Sequence, residues 1–110
     1  MLSKMKNIDS KQILNLKDLI DIHEGQVLSR TLSQNDNVSL TLFGFYKDEM
    51  ISTHQSQGDA LLSVLDGEAR VIIDQQEFIL KAGHSIVMPA VHPHSVYALT
   101  NMKMLLTVIF

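Results

Sequence analysis

Turn-forming clusters interrupt the apolar runs of this chain at a nearly constant interval, and that interval constrains the fold more than any other feature. Asp66-Gly67 sits between apolar runs at 61–65 and 68–73, a dipeptide that favours a tight hairpin turn. Asp74-Gln75-Gln76 then separates a second strand pair and Lys81-Ala82-Gly83 a third, while Phe78 and Leu80 alternate with Glu77, Ile79 and Lys81. Residues 90–93 and 100–101 mark two further turns, leaving 94–99 and 102–109 as closing strands. Upstream, 27–32 reads as the first strand, Gln34-Asn35-Asp36-Asn37 as a turn and 38–46 as the second strand. In that second strand Val38, Leu40 and Leu42 share one face and Ser39, Thr41, Phe43 and Phe45 the other, so apolar groups on both faces predict burial from both sides. Turns about 8–12 residues apart predict an all-β sandwich or barrel. Pro89 and Pro93 fall at a strand end and in a turn, where a missing amide donor does little harm.

Size and composition narrow the function classes. At 12.4 kDa the chain fits one domain, burying its surface from about 18,000 Å² unfolded to roughly 6,100 Å² folded. Hydrophobic residues make up 45% of it but aromatics only 5%, so the core must come from Leu, Ile, Val and Met. A net charge of -3 with scattered Lys and Arg argues against a nucleic-acid surface, which needs clustered cations to displace counterions from phosphates. The absence of cysteine excludes disulfides, thiolate catalysis and a zinc-cysteine site, and fits a reducing compartment. The first residues lack an apolar signal core, and no run approaches the roughly 20 apolar residues of a membrane span. The expectation is a cytoplasmic protein with no membrane or nucleic-acid partner.

Residues 1–26 form an N-terminal extension ahead of a β-barrel domain at 27–110. Within it, Ile13, Leu14, Leu16, Leu19 and Ile20 are too short a stretch for an independent helix and suit a cover, a single helical turn or a subunit contact. Together with the apolar strands at 38–45 and 104–110 they suggest an uncovered apolar face, which predicts a homodimer. His23 and Glu24 have no second His at helical spacing and are read as surface.

Two short motifs carry chemistry. The first runs from His54 through Ser56 and Ala60 to Val64-Leu65-Asp66-Gly67, and the second from Gly83 through Pro89 and Val91 to His94 and Ala98. In this register the chain resembles a small single-domain cupin, an RmlC-like double-stranded β-helix of the jelly-roll type, over roughly residues 27 to 109. In the family's first motif His54 and the closing Gly67 match, whereas Ser56 replaces the second His and Ala60 the Glu. In the second, Gly83, Pro89 and His94 match, whereas Val91 and Ala98 replace a Gly and an Asn.

The resemblance implies a barrel pocket containing His54, Ser56, Met88 and His94, which binds a small molecule. It also implies a divalent metal (zinc, nickel, copper or iron) at His54 and His94, held weakly because two protein ligands fall short of the usual three or four. His92 is a candidate third ligand, and Asp59 lies beside the vacant Glu position. Three readings of the histidine pair stay open: metal ligation, a general base or recognition group without metal, and inherited barrel residues that bond to each other, to Ser56 or to water. At the level of function the alternatives are a metal-dependent isomerase, lyase or dioxygenase with a reduced ligand set, and a stand-alone sensor acting through a protein partner. Met50, Met88, Met102 and Met104 suit either a soft pocket or, more simply, apolar gaps in the core.

Overall fold

The computed structural model describes residues 4–110. One turn of 3-10 helix at Leu16–Leu19 precedes β1 (Val27–Gln34), β2 (Val38–Phe45), β3 (Met50–His54), β4 (Asp59–Asp66), β5 (Glu68–Ile73), β6 (Gln76–Lys81), β7 (Ser85–Met88), β8 (His94–Ala98) and β9 (Met102–Ile109). They form a five-stranded sheet ordered β1-β2-β9-β4-β7 and a four-stranded sheet ordered β3-β8-β5-β6, with antiparallel pairing throughout. This is the all-β jelly roll that the turn spacing and the motif register predict.

Alternation along the strands builds the core. Ala60, Leu62 and Val64 on β4 and Met102, Met104 and Val108 on β9 meet Ala69, Val71 and Ile73 on β5 and Val96 and Ala98 on β8. Met88 completes this core at 1% exposure, while Met50 stands on the outside at 48%. Met88, Met102 and Met104 therefore fill apolar space in the core, and Met50 lies apart from them.

Two of the expected hairpins are corners instead. β4 pairs with β7 and β9, and β5 with β6 and β8, so Asp66-Gly67 carries the chain from one sheet to the other. The dipeptide supplies the positive φ that a sharp reversal needs (78° at Gly67), but strand partners are chosen by which faces the two sheets bury. A Cβ on Gly67 would lie 2.1 Å from the Asn101 carbonyl oxygen, so this corner nests against the turn at 100–101. Lys81-Ala82-Gly83 likewise leads from β6 in one sheet to β7 in the other. The true two-residue hairpin is Asp74-Gln75, where Ile73 faces Gln76 and both central residues take positive φ, 57° and 98°, without a glycine.

The N-terminal segment lies along the outer face of the five-stranded sheet. Ile20, Leu32 and Leu42 are buried there, with Ile8, Leu16, Leu19, Leu28, Leu40, Leu65 and Leu105 packed around them. Gly44 permits the crossing, since a Cβ at that position would stand 2.2 Å from the Asp21 carbonyl oxygen. Arg30 Nη1 donates to the Leu19 carbonyl at 2.6 Å and Lys103 Nζ to the Lys17 carbonyl at 2.7 Å, satisfying oxygens of the helical turn. Farther back, Lys6 N–H donates to the Leu32 carbonyl at 2.8 Å and Ser33 Oγ to the Lys4 carbonyl at 2.9 Å, which covers the free edge of β1. The second strand is covered on both faces, partly over 38–41 and fully at Leu42, Gly44 and Phe45, and the cover on its outer face comes from the same chain. The extension covers the part of the apolar face around Leu32 and Leu42, while Ile13, Ile109 and Phe110 stay exposed.

Candidate functional site

His54 ends β3 and His94 begins β8, and the two are direct cross-strand partners. Ile51 pairs with Val96, so three steps along β3 match two along β8. Without that bulge Ile51 and His54 would point to opposite faces; the extra residue turns both inward, the re-aiming that β-bulges provide. His94 shares the inner face with Val96 and Ala98 by simple alternation.

The two rings meet edge to face, centroids 4.4 Å apart and planes at 70°. His54 Nδ1 lies 3.0 Å from the Ser52 carbonyl oxygen and His94 Nδ1 lies 3.1 Å from that of His92. A carbonyl can only accept, so Nδ1 is the donor in each neutral ring and Nε2 is left with an unspent lone pair. His94 is 2% exposed, whereas His54 reaches solvent. Burial lowers the His94 pKa below 6.5, with the bond to the His92 carbonyl acting in the opposite sense and the neighbouring His54 adding to the lowering.

The other residues named from sequence lie around this pair without joining it. Ser56 Oγ accepts the Gly58 N–H at 3.2 Å, a local turn bond, and its carbonyl accepts the Val91 N–H at 2.8 Å. Asp59 Oδ1 accepts the Ala90 N–H at 2.8 Å. Both bonds fasten the segment from Ser56 to the start of β4 to the loop after β7, with Ser56 Oγ spent on Gly58 and Asp59 Oδ1 on Ala90. His92 is turned away: its Nδ1 donates to Asp74 Oδ2 on the β5–β6 hairpin. Ala60 and Met88 face each other as buried cross-strand partners, 1% exposed each, so apolar packing fills the Glu position and Met88 belongs to the core. Among the described residues no group of three or more His, Asp or Glu side chains is placed to hold a metal ion, and no helix is long and apolar enough to cross a membrane.

Sequence reasoning missed a cleft of about 530 Å³ between the free edges of β6 and β7, lined by Ile73, Asp74, Gln76, Phe78, Ile86, Val87 and Pro89. It adjoins the histidine pair through Ile73, the cross-strand partner of His94. Ile73, Phe78 and Ile86 alternate on their strands as ordinary core residues do. Nothing local marks them as cleft walls, because the gap exists only where two sheet edges fail to meet.

Comparison with known proteins agrees with this architecture. The family model for the cupin domain matches residues 42–110. A conserved protein of unknown function from Streptococcus pyogenes superposes with a TM-score of 0.96 at 39% identity, covering 98% of this chain and 95% of that one. A cupin superfamily protein from Desulfitobacterium hafniense gives a TM-score of 0.94 at 33% identity over 98% and 99% of the two chains. A cupin 2 conserved barrel domain protein from Leptotrichia buccalis is 40% identical with a TM-score of 0.86, over 88% of this chain and 47% of that one. No curated protein matches.

Proposed function

Because the chain belongs to the cupin family, we propose that its barrel mouth is a small-molecule binding site anchored on His54 and His94, to which no reaction is assigned. One observation carries this reading: two adjacent rings each commit Nδ1 to a backbone carbonyl and keep Nε2 unbonded. Neither Nε2 has a partner among the described residues, so both lone pairs are available to a donor from outside the chain. The apolar cleft at Ile73 offers room for the body of a ligand whose polar end reaches the imidazoles.

The same anchoring suits metal ligation, since a ligating imidazole normally donates its other N–H to a carbonyl or carboxylate. The fit is partial. His54 and His94 would supply two nitrogens, one short of the three protein ligands of an open zinc site or a facial iron triad. Zinc, nickel, copper or iron bound there would polarise a ligand oxygen or water, but would be weakly held and completed by water or the ligand itself. His92 is not gathered with the pair: among the described residues no three His, Asp or Glu side chains are placed to hold one ion.

Nitrogen-15 spectra of the histidine side chains test the reading during a screen of small polar fragments. Binding fragments should move the Nε2 signals of His54 and His94, and a His54→Ala/His94→Ala variant should lose those fragments while remaining folded. Fragments that bind equally well to the double variant would overturn the assignment. Zinc titration of the two proteins provides the parallel check for the metal.

A further inference from the structure

We propose that the ligand of this mouth is a neutral or cationic hydrogen-bond donor with an apolar body, and that anions are turned away. The inference rests on the reading of His54 and His94 as the binding site and adds the chemical class of what binds. Each ring already spends its Nδ1–H on a carbonyl, so the mouth presents Nε2 lone pairs to an incoming group. An N–H or O–H satisfies those acceptors, whereas a carboxylate or phosphate oxygen would set lone pair against lone pair. In the neutral ring, exchanging the tautomer to create a donor would break the carbonyl bond that orients it, and the burial of His94 opposes the alternative of adding a proton at its Nε2.

The charges around the cleft point the same way. Among its lining residues Asp74 is the only charged side chain, and Gln76 is the other polar one. The nearby cations are directed elsewhere. Arg70 stacks on Tyr97 at 4.7 Å on the outer face of the four-stranded sheet, beside Glu77, and Lys81 lies at the far end of β6 from Gln76. An anion would therefore meet a carboxylate and two acceptors with no Lys or Arg turned toward it, and His92 already spends its Nδ1 on Asp74. The walls formed by Ile73, Phe78, Ile86 and Pro89 favour an apolar body.

Three probes of nearly equal shape separate the cases at pH 8: benzylammonium, benzyl alcohol and benzoate. Benzylammonium and benzyl alcohol should move the His54 and His94 Nε2 signals and the methyls of Ile73 and Ile86, with benzoate at least about tenfold weaker. Gln76→Lys, an exposed change at the cleft rim, should narrow that gap by supplying the missing cation. Benzoate binding as tightly as the others to the unmodified protein would overturn the charge class and leave the site standing, provided the histidine signals move. A Gln76→Lys variant that gains nothing toward benzoate would also overturn it. Histidine signals that stay still with all three probes would overturn the site and the inference together.

Discussion

The outer face of the five-stranded sheet and the barrel mouth use the same kind of strand, but one is closed and the other is left open. On the outer face Ile20, Leu32 and Leu42 are 6%, 1% and 0% exposed beneath the N-terminal segment, and side chains from β1 and β9 satisfy the carbonyls of its helical turn. At the mouth one histidine is buried and the other exposed, both keep an unspent nitrogen, and two loop-to-loop bonds from Ser56 and Asp59 hold the rim.

That contrast should appear first as a difference in stability. Leu42→Ala removes a fully buried side chain under the N-terminal cover and should cost about 2–5 kcal/mol in urea unfolding. His54→Ala at the exposed rim should cost less than about 1 kcal/mol in the same measurement, and equal losses would erase the distinction between a closed and an open region. Gly44→Ala is the next largest effect. Its methyl meets the Asp21 carbonyl, so the N-terminal segment must shift, at about 1–3 kcal/mol, and limited proteolysis should cut within residues 4–22 sooner than in the parent. Ser33→Ala, which loses one bond to the Lys4 carbonyl, should cost about 0.5–1.5 kcal/mol and leave fragment binding at the mouth unchanged.

The smallest effect concerns pH and belongs to the mouth. His94 has a lower pKa folded than its ordinary 6.5, so below 6.5 the unfolded chain takes up the proton more readily. Its contribution is complete above that pH and is lost as the pH falls through the folded-state value. Urea midpoints measured from pH 7.5 down to 5 should therefore decline, and His94→Gln should flatten the decline. A steeper decline in that variant would contradict the assignment.

The legible part of the fold was the part governed by local rules. Alternation at 38–45 disclosed a strand buried on both faces, and Gln34 to Asn37 and Asp74-Gln75 marked real turns, because φ preferences act within a few residues. Asp66-Gly67 predicts a hairpin but forms a corner for an equally physical reason: its preference for positive φ is shared by hairpins and by corners between sheets. At the site, motif register located His54 and His94. It could not show that the bulge between Ile51 and His54 turns His54 inward, that His92 pairs with Asp74, or that Ser56 and Asp59 bind loop amides, since each depends on a strand distant in sequence.

The amino-acid sequence alone determined an all-β chain of the cupin kind and the histidine pair at its mouth, because strand period, turn chemistry and motif spacing are properties of short segments. Tertiary structure decided which strands pair, what covers the apolar outer face and where the cleft opens. Those outcomes follow from burying one face against another, and no short segment contains both faces of the contact.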